Sequence, residues 1–162
     1  MTKEQLLIDM KNCYQFIGTE GAWQTVYEHG ISVADYFYDL IMHIYYKKPF
    51  SHEWRVDKIL SDDIIDTIKK YIVLNIDSNN TVGGNMENII YDMKYKSKLF
   101  FEMLTYCLYH DCGKPYCRTV DKNDNTHFPN HELVSYKKWM DNDDNKFIGE
   151  LILYDMMLHR ST

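Results

Sequence analysis

The stretch Met103-Leu104-Thr105-Tyr106-Cys107-Leu108-Tyr109-His110-Asp111-Cys112-Gly113-Lys114-Pro115 decides how this chain is read. Met103, Leu104 and Cys107 mark one face of a helix, and His110 and Asp111 fall on the same face seven and eight residues after Met103. Two metal-binding side chains therefore point to the core where the helix stops. Gly113, free to adopt a left-handed cap, and Pro115, which cannot continue a helix, supply the stop. A buried imidazole beside a buried carboxylate costs free energy unless something compensates them. A bound metal ion is such a compensator.

Outward from this stretch the spacing predicts an all-α chain. Leu6, Leu7, Met10 and Tyr14 have helical spacing over about Lys3 to Phe16, and Val33, Phe37, Leu40, Ile41 and Ile44 over about His29 to Tyr46. A weaker pair of helical stretches covers about Val56 to Leu74, with Ser61-Asp62-Asp63 as a capping start. Asn75 to Asn85 is polar, carries a Gly-Gly pair and reads as a loop. The helix that ends at Asp111 begins near Met86 or Tyr95. Tyr116 to Phe128 reads as a small excursion, a hairpin turning at Asp121-Lys122-Asn123-Asp124. Asn130 caps a helix to about Met140, the acidic run Asp141 to Asp144 reads as a solvated turn, and a last helix covers about Asn145 to His159.

The bulk properties bound the function. The chain has 162 residues, 45% hydrophobic and 26% charged, enough for one domain with a sizeable core. Its net charge of −6 argues against a duplex DNA surface. A phosphorylated small ligand or one strand end remains compatible, because a metal supplies local positive charge. The start, Met1-Thr2-Lys3-Glu4-Gln5, has no signal-peptide pattern, and no apolar run reaches membrane-spanning length. Cys13, Cys107, Cys112 and Cys117 show no disulfide-framework spacing and read as reduced thiols in a cytoplasm.

Other candidate ligands fall on the apolar stripes. His29 is four residues before Val33, Asp155 is seven after Ile148 and four after Leu151, and His159 is four further along. One inward histidine is usually a satisfied core residue; His29, His110, Asp111 and Asp155 together favour a metal site. The set mixes imidazole and carboxylate without thiolate, which suits Mn, Fe, Co, Ni or Zn with open positions. His43 and His52 read as structural or exposed, although either could stand in place of His29.

The pattern His29, His110-Asp111, Asp155 resembles the HD superfamily of metal-dependent phosphohydrolases. His110-Asp111-Cys112-Gly113-Lys114-Pro115 is similar to that family's His-Asp-x-Gly-Lys-Pro segment, and Phe128-Pro129-Asn130-His131-Glu132, with Ser135 beyond it, resembles its Phe-x-x-His-Glu segment. The likeness covers most of the chain from Glu28 onward. It implies a single HD-type helical bundle over residues 1–162, with His29, His110, Asp111 and Asp155 on one ion. A second ion, for which magnesium is a candidate, or the substrate phosphate would take His131, His127 or His159. Lys114 would face the phosphate, Arg118 and His127 would reach the substrate, and Asp111, Lys114 and His131 would carry the catalysis. The metal would acidify a water for attack on phosphorus. The substrate implied is a nucleotide or a phosphate-ended oligonucleotide. The 81 positions separating His29 from His110 (110 − 29) imply an inserted stretch at about 47–91. The short end after His159 resembles compact HD proteins of large tailed bacteriophages, whose setting would be the host cytoplasm. The Gly-Tyr-Pro segment of cyclic-dinucleotide HD enzymes and the acidic pair of guanosine-tetraphosphate hydrolases are absent.

Two other readings use the same residues. A non-catalytic HD-type module would sense a nucleotide or join a complex. A structural zinc knuckle would use His110, Cys112, Cys117 and His127, although that spacing fits no common module and would leave Asp111 idle.

Overall fold

A computed structural model of the protein describes residues 1–16, 22–52, 61–74 and 85–160, and of 158–160 the backbone alone. The fold is all-α: helices α1 to α8, with two small two-stranded sheets, account for the regular structure among the described residues. The chain divides into two compact units, Met1–Ser32 with Tyr106–Thr162, and Val33–Thr105.

The first unit begins with α1 (Lys3–Asn12), capped by the Thr2 hydroxyl accepting from Gln5 N at 3.2 Å. Leu6 and Met10, one turn apart, are fully buried. The expected helix to Phe16 is shorter than its spacing predicts. Cys13 turns extended, and Tyr14–Phe16 forms β1, antiparallel to β2 (Trp23–Thr25) with Tyr14 opposite Thr25, Gln15 opposite Gln24 and Phe16 opposite Trp23. The Cys13 carbonyl accepts from Val26 N at 2.8 Å. This pairing is non-local, so Tyr14, four residues after Met10, keeps helical spacing without being helical.

Helix α2 (Val26–Tyr46) starts before His29 because Thr25 and Glu28 form a capping box. The Thr25 hydroxyl accepts from Glu28 N at 3.0 Å, and the Glu28 carboxylate accepts from Thr25 N at 2.8 Å. Helix α5 (Lys98–Tyr109) ends in a tight turn at 110–113 leading into the one-turn helix α6 (Lys114–Cys117). Gly113 is not left-handed as expected: its φ is −84° and its ψ −15°. Glycine is required there by crowding, since a Cβ would lie 2.2 Å from Ser135 N. Pro115 does not merely end α5; it stands in the first turn of α6, where its fixed φ and missing N–H cost nothing.

The expected hairpin is present as β3 (Thr119–Val120) and β4 (Thr126–His127), with Asp121 Oδ1 accepting from Asn123 N and Asn125 N at 2.8 and 3.0 Å. Helix α7 (His131–Asn142) follows Asn130, which is left-handed at φ 54° and makes no side-chain capping bond, unlike the cap expected of it. Helix α8 (Lys146–Arg160) packs against α7, where fully buried Trp139 donates from Nε1 to the Asn145 carbonyl just before α8 at 3.0 Å. The acidic run is only partly a solvated turn: α7 continues through Asn142, and Asp143 pairs with Lys3.

The second unit contains the rest of α2, then α3 (Asp62–Tyr71), α4 (Met86–Lys96) and most of α5. What read as one helix into Asp111 is two, because Ser97 is extended at φ −157° between α4 and α5. Ser61 caps α3 as expected, accepting from Ile64 N at 3.4 Å. After α2 the chain returns to it: buried Asp39 accepts from Ser51 N and Ser51 Oγ, both at 2.9 Å. Phe100 is fully buried against Phe37 and Tyr38. The helix expected before Ser61 and the loop at Asn75 to Asn85 fall outside the described residues, save at the ends of those stretches.

Candidate metal centre

Two glycines let three segments of the first unit meet. A Cβ on Gly30 of α2 would lie 2.2 Å from the Leu108 carbonyl oxygen of α5, so hydrogen alone permits that approach. The contact sets the His29 and His110 rings 5.2 Å apart. At Gly113 the turn lies against α7: Gly113 N donates to Ser135 Oγ at 2.8 Å, and Cys112 Sγ donates to the Ser135 carbonyl at 3.5 Å. Ser135 and His131 are one turn apart on α7, so this docking also brings His131 in.

Asp111, 4% exposed, is the focus. Its Oδ2 accepts from Lys114 Nζ at 2.7 Å and lies 3.3 Å from His110 Nε2 and 3.8 Å from His29 Nε2. Its Oδ1 lies 3.4 Å from His131 Nε2. Two of these imidazoles are fixed from behind: His110 Nδ1–H donates to the Cys107 carbonyl at 2.8 Å, and His131 Nδ1–H to the Phe128 carbonyl at 3.1 Å. Each bond leaves Nε2 as the nitrogen turned towards Asp111. His29 Nδ1 instead meets the Gln24 side-chain nitrogen at 3.2 Å. Lys114 Nζ also donates to the side-chain amide oxygen of Gln15 (Oε1) at 2.7 Å and lies over the Phe128 ring.

The electrostatics follow from this crowding. Burial works against the Asp111 carboxylate, yet His110 and Lys114 hold its pKa well below the usual range. Burial also opposes charging of His110, but the hydrogen bond and charge of Asp111 raise it overall. His29 is lowered, first by burial and then by His110. The cluster binds a negative carboxylate among basic groups, and metal-binding atoms of His29, His110 and Asp111 all lie within 4.8 Å of one another. These three residues can hold a metal ion. Their donor set, two imidazole nitrogens and one carboxylate oxygen, fits a divalent ion with positions left open.

Other expected site residues lie elsewhere. Asp155 is outside the three-residue group; its carboxylate accepts from the Tyr106 hydroxyl, though its charge is felt at both His29 and His110. His127 is exposed and pairs with Asp121 of its own hairpin at 2.9 Å. Arg118 is exposed and lines a cavity of about 520 Å³ with Asp9, Asn12, Cys13, Tyr14, Pro115 and Tyr116. The side chain of His159 lies outside the described residues. His110, Cys112, Cys117 and His127 are not brought into one ligand group. Cys112 is fully buried, and burial pushes its thiol pKa up. His43 and His52 belong to the second unit, where His43 Nδ1 meets the Lys48 carbonyl at 2.8 Å and His52 Nε2 meets Asp35 at 2.6 Å. Sequence reasoning missed Gln15, Gln24 and Gly30. The capping box Thr25-Val26-Tyr27-Glu28 was the available signal for the start of α2, and with it for His29 standing in the first turns.

No protein-family model matches this chain, and neither a curated protein nor a solved structure matches it. Among the described residues, no helix is long and apolar enough to cross a membrane.

Proposed function

We propose that this chain is a metal-dependent phosphohydrolase of the HD type, cleaving a phosphoester or phosphoanhydride of a nucleotide or an oligonucleotide end. The observation that carries the reading is the convergence of His29, His110, His131 and Lys114 on the one buried carboxylate of Asp111. A core gains no stability from so many polar groups in one place; replacing such clusters by apolar residues is often neutral or stabilising. The order His110-Asp111-x-Gly113-Lys114, with His131 docked through Ser135, supports the HD type in particular.

His29, His110 and Asp111 would hold a divalent transition ion (Mn, Fe, Co, Ni or Zn), and Asp155 would complete the set from α8. Once bound, such an ion acidifies water and withdraws charge from phosphoryl oxygens. Asp111 would orient the attacking water or accept its proton. Lys114 has three N–H donors, of which Asp111 and Gln15 take two. The third is available to a non-bridging phosphoryl oxygen, whose charge it stabilises as the bond breaks. His131, with Nδ1 fixed by the Phe128 carbonyl, presents Nε2 on the Oδ1 side of Asp111. There it binds the phosphate or returns a proton to the leaving oxygen. The preference for nucleotide over protein or lipid phosphates rests on likeness to the HD superfamily alone.

The test is metal analysis of the purified protein, followed by turnover of nucleotides, cyclic nucleotides and phosphate-ended oligonucleotides with Mn, Ni, Co, Mg and Zn. Turnover that disappears in Asp111→Ala supports the proposal. Metal and nucleotide binding without turnover would replace it by the sensor reading. Failure of every ion to bind would overturn both.

A further inference from the structure

Gln15 and Gln24 stand directly opposite each other in the β1–β2 hairpin. Opposite residues of an antiparallel pair point to the same face. Here that face is the covered one: Gln15 is 5% exposed, whereas Tyr14, Phe16 and Trp23 are each more than half exposed. The pattern inverts what a sheet usually buries. The ladder itself needs only backbone groups, so two amides on the inner face do something other than hold the hairpin. Gln15 accepts from Lys114 Nζ at 2.7 Å, and Gln24 meets His29 Nδ1 at 3.2 Å. One rung of the hairpin thus touches both the cation and an imidazole of the metal centre. The capping box fixes its far end, because Thr25 is at once the last residue of β2 and the cap of α2.

We infer that the β1–β2 hairpin is a positioning clamp, in which Gln24 sets the orientation and tautomer of His29 while Gln15 holds the Lys114 ammonium in place. The consequence for metal binding rests on the function proposed above; the clamp itself does not. An amide suits the Gln24 position because it serves both tautomers. Its nitrogen donates to an unprotonated Nδ1, and turned over its oxygen accepts from Nδ1–H, which leaves Nε2 free to ligate. A leucine does neither, and a glutamate does only the second. Gln15 acts differently. It draws one Lys114 donor away from Asp111, which leaves the ammonium fixed between two acceptors rather than folded onto one.

Two measurements test the clamp, with circular dichroism confirming the fold of each variant. Histidine ¹⁵N NMR on metal-free protein reads the His29 tautomer directly. Wild type carries the proton on Nε2, Gln24→Glu moves it to Nδ1, and Gln24→Leu gives a mixture. Titration with Mn²⁺ then gives a loss of about tenfold or more in affinity for Gln24→Leu, with Gln24→Glu restoring at least the wild-type value. Gln15→Leu keeps the Mn²⁺ affinity but weakens binding of inorganic phosphate to the Mn-loaded protein about tenfold. Wild-type tautomer populations in Gln24→Leu overturn the clamp whatever the metal does. A wild-type protein that binds none of Mn, Fe, Co, Ni and Zn, yet shows the tautomer changes, keeps the clamp and overturns the metal reading. Unchanged phosphate affinity in Gln15→Leu removes Gln15 from it.

Discussion

His29, His110 and His131 in the first unit and His43 and His52 in the second are the same residue type in opposite employment. Each of the first three turns Nε2 towards one buried carboxylate, and two of them hold Nδ1 against a backbone carbonyl. His52 spends Nε2 on Asp35 and stacks on Tyr36; His43 stacks on Phe50 and holds the Lys48 carbonyl, so both fasten the segment after α2 to that helix. Convergence, rather than the presence of histidine, separates a ligand set from a strap. Asp111 and Asp35 differ in the same way. The first is buried and shared among several bases; the second has a side chain 44% exposed and pairs with His52.

The largest expected effect comes from removing the shared carboxylate. Asp111→Ala leaves Lys114 and the imidazoles without their common partner, and is expected to cost about 3–5 kcal/mol of stability in metal-free urea unfolding. It should also abolish metal binding by calorimetry; retention of both would show that the cluster is not organised around Asp111. Next in size is Gly30→Ala. Its Cβ would meet the Leu108 carbonyl, forcing α2 from α5 within the first unit. The expected cost is about 1–3 kcal/mol, with a loss of metal affinity larger than any fall in helicity. A variant with wild-type metal affinity would show that the approach of His29 to His110 does not matter.

A smaller effect is pH-dependent. The folded His110 lies above its ordinary value, so its contribution is fully present below a pH of about 6.5 and is lost as pH rises through the folded value. The stability gap between wild type and His110→Gln, measured without metal, should therefore narrow above that pH. Asp111, held low, contributes above a pH of about 4 and loses its contribution only on acidification. A gap that widened with rising pH would reverse the assignment. The smallest effect belongs to the second unit: Asp35→Ala should cost less than about 1 kcal/mol and leave metal affinity unchanged.

Much of this was legible in the chain because it depends on local spacing. His110 and Asp111 lie beyond a helical stripe, and the turn of the β3–β4 hairpin carries its Asp121-to-Asp124 signature. What depends on distant contact was not. Tyr14 keeps helical spacing from Met10 but pairs with Thr25 across the hairpin. Gly113 reads as a left-handed cap, since nothing near it in sequence announces that Ser135 will press on it. Gln15 looks like any polar residue at a helix end until the fold buries it against Lys114. Asp155 has the expected inward spacing, but its hydrogen bond from the Tyr106 hydroxyl, 49 residues away in sequence, was not legible.

The approach of Gly30 to Leu108 has a consequence for the order of folding. It closes a loop of 78 residues (108 − 30) and Gln15 meets Lys114 across 99. Such closures come late, because the chain loses their entropy before the contact returns any free energy. The ligand set therefore does not exist in a partly folded chain, and an ion cannot seed the fold. It can only trap the finished one, adding about 2.7 kcal/mol when present at a hundred times its dissociation constant. Metal should accordingly slow unfolding while leaving the refolding rate as it is without metal.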